Sequence, residues 1–155
     1  MAFLTLFTIL LGGCGPSGVP VVKVTGKVTF EGNPVDGALI TFFPTDPTTG
    51  REAAGRTDEN GIFLVLTQGA KKNGALPGSY YVVVTKTITV DSRGNPIVPS
   101  DEPIPAYAEA ATAADAGRPI YKSLLPEKYG NAETSGLTAE VTQRGANSFA
   151  FELTN

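Results

Sequence analysis

Val22-Lys23-Val24-Thr25-Gly26-Lys27-Val28-Thr29-Phe30 alternates without a slip: each even position is apolar or glycine, and each odd one is lysine or threonine. Successive strand residues point to opposite faces, so a period of two describes a half-buried antiparallel strand with one wet side. Downstream, Glu31-Gly32-Asn33-Pro34 turns the chain into a second apolar run, Ala38-Leu39-Ile40-Thr41-Phe42-Phe43, which stops at Pro44. The stretch 44–60 is polar and turn-rich, with 52–57 reading as a weak edge strand. Asp58-Glu59-Asn60-Gly61 is a strong turn signal. It leads into Ile62-Phe63-Leu64-Val65-Leu66-Thr67, which is apolar on both faces, so its inward side is left open. Leu76-Pro77-Gly78 launches Tyr80-Tyr81-Val82-Val83-Val84-Thr85-Lys86, and two late runs, 137–141 and 149–153, close the domain.

Short strands with turn signals between them predict an all-β fold, an antiparallel β-sandwich of about seven strands. The composition agrees, with 18 Gly and 12 Pro in 155 residues, a length suited to one domain. Between Thr87 and Ser123 the regularity fails, because Pro96, Pro99, Pro103, Pro105 and Pro119 cannot donate to a ladder. Residues 106–116 are rich in alanine and suit at most a turn or two of helix. This long irregular insert, 87–123, is read either as a binding loop or as disorder.

Charge and composition exclude several functions. The formal net charge is −3, with Lys and Arg scattered along the sequence, which argues against nucleic acid or an acidic membrane surface as partner. A single cysteine forbids an internal disulfide. No histidine occurs, which removes the commonest general base, the commonest metal ligand and every Ser/His or Cys/His pair. No catalytic residue, metal site or cofactor is expected.

Residues 2–11 are an uncharged apolar run, shorter than the ~20 residues a spanning helix needs. The run fits the core of a secretory signal, although no Lys or Arg precedes it. Its end, Leu11-Gly12-Gly13-Cys14, resembles the lipobox of bacterial lipoproteins. The resemblance implies a signal peptide over 1–13 and a diacylglycerol on the Cys14 thiol. A fatty N-acyl chain such as palmitate would follow after cleavage. Residues 14–20 then read as a lipidated flexible tether to a domain over 21–155. The implied location is extracytoplasmic, on the cell envelope or outer membrane, with the membrane as partner through the anchor. The bland alternative makes Cys14 a free thiol at the end of an N-terminal strand or buried segment.

A second resemblance rests on Gly26–Phe30, Gly32–Ala38 and Phe42-Phe43-Pro44, with Thr57–Phe63 and Pro77–Val84 following in order. These are similar to carboxypeptidase regulatory-like domains, which share the transthyretin-like (prealbumin-like) sandwich. Leu125–Tyr129, Thr134–Thr138 and Phe149–Leu153 look like a bacterial lipoprotein branch of that family. The function implied is thin, namely an accessory structural or protein-interaction module.

Four sharper sites compete with plainer readings. Asp58–Gly61 lacks the distal bidentate Glu of a calcium loop and reads as a turn. An isopeptide bond from Lys23 or Lys27 to Asn147 would need a buried amine, whereas both lysines sit on the polar strand face. Ureide hydrolysis, known on the transthyretin-like fold, depends on histidines. Tyr107, Tyr121 and Tyr129 lie in or beside the insert and could form a platform for a glycan or small ligand, although packing onto the sandwich explains them as well. Two readings remain, a lipid-anchored interaction module with an envelope protein as partner and a glycan-binding module.

Overall fold

A computed structural model of the chain describes residues 19–97 and 120–155. It is all-β. Among the described residues eleven short strands run in chain order: β1 Val24–Phe30, β2 Asn33–Pro34, β3 Leu39–Pro44, β4 Ala53–Arg56, β5 Ile62–Leu64, β6 Leu66–Thr67, β7 Gly78–Thr85, β8 Thr87–Val90, β9 Ile120–Ser123, β10 Leu137–Val141 and β11 Asn147–Leu153. One 3-10 turn, Glu127–Gly130, precedes β10. The first sheet has β1 at its centre, flanked by β11 on one side and by β2 and β5 on the other. The second sheet has the order β10-β7-β3-β4-β6, and β8 and β9 form a separate two-stranded ribbon. Neither sheet closes on itself.

The two sheets share one core. Phe42 of the second sheet lies 6.1 Å from Phe63 and 6.3 Å from Phe151 of the first, ring centre to ring centre, and 5.8 Å from Tyr80 of its own sheet. Val24 and Val28 face Ile40, Val82 and Val84 across the same interior, all of them buried. The alternation in β1 therefore reads correctly, with Val24, Gly26 and Val28 inside and Lys23 and Lys27 outside. Gly26 must be small. A Cβ there would collide with the Phe149 carbonyl oxygen and come within 2.6 Å of the Phe63 ring.

Residues 62–67 change sheets midway. Ile62–Leu64 pair with β1, and Leu66–Thr67 pair with β4, with the buried Val65 at the corner. The inward side is the odd one: Phe63, Val65 and Thr67 are buried, and the Thr67 hydroxyl donates to the Gly74 carbonyl at 2.9 Å. The turn feeding this strand is built as its sequence suggests. The Asp58 carboxylate accepts the Asn60 and Ile62 amides at 2.9 and 2.8 Å, while Gly61 takes φ +74°.

Three expectations need correction. Pairing is not purely antiparallel, because β1 and β11 run parallel, Val24 opposite Asn147 through Phe30 opposite Leu153. The turn after β10 carries the chain from the second sheet to the first, and β11 fills the one flank of β1 that β2 and β5 leave free. Residues 53–56 are not an edge strand, since β6 pairs on their far side. The insert is not irregular throughout: Thr87–Val90 pair with Ile120–Ser123, so its two ends form a ribbon stem. The proline-rich centre of the insert and its alanine-rich run lie outside the described residues.

The chain enters at one end of the stack, where the Val22 amide bonds to the Ala75 carbonyl at 2.9 Å. The connections 45–52, 68–73 and 142–146 share this entry end. Residues 31–38, 57–61 and the β8–β9 ribbon lie at the other.

Candidate functional surface

The outer face of the second sheet is apolar over much of β3, β6 and β7, and polar along β10, where Thr138 and Glu140 are exposed. Register puts Tyr81 of β7 directly opposite Phe43 of β3, and the next outward row runs Val83, Thr41, Ala54, Leu66 across four strands. Leu39 continues the patch toward Arg56. Tyr81 is 45% exposed and Leu66 49%, while Leu39 and Phe43 are also open to water. Val83 and Thr41 lie deeper in the same face, nearly covered by these neighbours. At the β4–β6 border the patch runs into a groove of about 670 Å³ lined by Arg51, Glu52, Ala54, Leu66, Gln68 and Gly69. A smaller cleft of about 320 Å³ lies at the other end of the stack, where Phe30, Pro34 and Leu124 form apolar walls and Glu31 and Lys86 carry charge.

Sequence reasoning missed this patch, although the signal was present. Apart from Thr41 and Thr67, the runs 38–43, 62–67 and 80–84 lack the polar alternate residues that β1 has. In a sheet with only one partner layer, apolar residues on both faces leave one set facing outward.

The tyrosines separate by position. Tyr121, on β9 opposite Thr89, is 70% exposed. Tyr129 is buried in the 3-10 turn and offers no platform. Its hydroxyl donates to the Thr154 carbonyl at 3.1 Å and accepts the Thr154 amide at 2.9 Å, pinning the C-terminal end of β11. That accepted amide hydrogen bond holds the Tyr129 phenol below the ordinary tyrosine value. Tyr107 lies outside the described residues, as do Leu11, Gly12, Gly13 and Cys14.

The isopeptide geometry does not form. Lys23 and Lys27 are exposed, whereas Asn147 is buried and faces inward opposite Val24. Its amide closes the 142–146 turn, with Oδ1 accepting the Thr142 amide at 2.8 Å and Nδ2 donating to the Thr142 carbonyl at 3.0 Å. Among the described residues no group of three or more His, Cys, Asp or Glu side chains comes together to hold a metal. No helix there is long and apolar enough to cross a membrane.

No family model matches this chain, no curated protein matches it, and no solved structure matches its fold.

Proposed function

We propose that this chain is a lipid-anchored, extracytoplasmic structural or protein-interaction module without catalytic activity, with a transthyretin-like sandwich of the carboxypeptidase regulatory-like kind. The anchor reading rests on Leu11-Gly12-Gly13-Cys14 at the end of an uncharged apolar run. The non-catalytic reading rests on the lack of any histidine in the whole sequence. The observation that carries the interaction reading is the exposed patch of Leu39, Phe43, Leu66 and Tyr81 on one sheet. Contiguous apolar patches on soluble domains mark contact sites more often than scattered residues do.

Anchoring is tested in a bacterial host. Wild type should fractionate with membranes and carry acyl mass on the peptide beginning at Cys14, and Cys14→Ala should move the chain to the soluble fraction. A wild-type N-terminus that keeps residues 1–13 and carries no lipid would refute it. Tyr121, exposed on the ribbon, supports a second reading, glycan binding through that ring. It predicts saturable binding on a glycan array that Tyr121→Ala abolishes.

A further inference from the structure

Basic residues that are scattered along the sequence gather at one end of the fold. Lys23 precedes β1, Arg51 precedes β4, Lys71 and Lys72 occupy the loop 68–73, and Arg144 occupies the turn between β10 and β11. All five are exposed, and all belong to the entry end defined above. The carboxylates there are Asp46, Glu52 and Glu140. Asp46 is engaged locally, accepting the Thr48 amide at 2.9 Å and the Thr48 and Thr49 hydroxyls at 2.6 and 2.9 Å. The entry end thus holds five cations against three carboxylates, while the other described residues hold six against eight.

We propose that this basic end docks on the anionic headgroups of the bilayer that holds the anchor, so that the domain stands on its entry end rather than tumbling on its tether. The proposal rests on the lipid-anchored reading. From Cys14 to Val22 the chain spans at most about 30 Å when fully extended, and any slack brings the domain nearer. The entry end is the part such a tether draws closest to the lipid. Headgroup charge acts only within about 8 Å at physiological ionic strength, so cations at the near end feel it and carboxylates at the far end do not. Glu31, Asp36, Asp58 and Glu59 sit at that far end, where they add repulsion if the domain topples. The apolar face of the second sheet then stands sideways to the membrane and is open to a neighbouring protein.

The only cysteine makes the test direct. The full chain is coupled through Cys14 to a maleimide lipid, in vesicles of phosphatidylcholine alone or with a quarter of phosphatidylglycerol, and lysines are acetylated under limiting reagent. Lys71 and Lys72 should label about threefold or more slowly on the anionic vesicles. Lys86, Lys122 and Lys128 should not change, and high salt should erase the difference. In a Lys71→Glu/Lys72→Glu/Arg144→Glu variant, protection of Lys23 should disappear. Equal labelling on both vesicles, or protection of the far-end lysines, overturns the orientation. Because the thiol is attached chemically, that result is independent of native acylation, which the Cys14→Ala fractionation reads separately.

Discussion

The two sheets present opposite outer faces to solvent. On the first, outward positions of β1 and β11 are Thr25, Lys27, Thr29, Ser148, Ala150 and Glu152, a surface that water can satisfy. Ile62 and Leu64, on the strand about to leave that sheet, are the large apolar side chains exposed there. On the second, Leu39, Phe43, Leu66 and Tyr81 occupy the equivalent positions. Each sheet has its own buried inner face, so folding alone does not require the outer face of the second to be apolar. The difference is the ground on which the proposed contact role falls to the second sheet rather than the first.

The sharpest way to break that comparison is to damage what the sheets share. Phe42→Ala removes the ring touching Phe63, Tyr80, Phe149 and Phe151 and should cost about 3–5 kcal/mol. Urea melts followed by tyrosine fluorescence and by far-ultraviolet circular dichroism should shift together. Separate transitions would mean that the sheets are not one cooperative unit.

Tyr80→Phe comes next. It removes the hydrogen bond to the Leu76 carbonyl, 2.8 Å long, at a cost of about 0.5–1.5 kcal/mol. Burial pushes the Tyr80 phenol up. A folded value above the unfolded one of about 10 means its contribution is whole below that pH and is lost as pH rises through the folded value. Tyr129, held down by the Thr154 amide, works in the opposite sense. Urea midpoints at pH 8 and pH 11 should therefore converge in Tyr80→Phe and diverge in Tyr129→Phe; the same alkaline loss in both variants would contradict these environments.

How much was legible depended on where the alternation was clean. In β1 the lysines and threonines declare the outer face, so strand, facing and core residues could all be read. Residues 62–67 were legible as a strand but not as two, because Val65 turns the corner between sheets and an apolar run has no mark for a corner. Gly55 is the partner of that bend, since a Cβ there would strike the Leu64 carbonyl, a contact that exists only after folding. The parallel pairing of β1 with β11 depends on which sheet each late strand joins, a choice between tertiary partners. The β8–β9 stem was hidden because its strands are short and lie 29 residues apart, from Val90 to Ile120 intervening. The basic entry end was illegible for a related reason: Lys23, Arg51, Lys71 and Arg144 are distant in the chain and come to one end of the stack only through sheet topology.

The smallest stability effect is the most informative about the comparison. Phe43→Thr with Tyr81→Thr gives the second sheet an outer pair like those of the first, with β-branched side chains that still suit a strand. The lost cross-strand aromatic pair contributes about 0.2–1 kcal/mol, so the thermal midpoint should move only slightly. Binding of an apolar dye such as ANS to the folded chain should fall, because two of the four exposed large residues of the patch are gone. The matching change on the first sheet, Thr29→Phe, should raise dye binding at a similarly small stability cost. If the Phe43/Tyr81 pair instead cost more than about 2 kcal/mol, that would be the loss expected of interior residues. The patch would then be packed against part of the chain itself and unavailable to a partner.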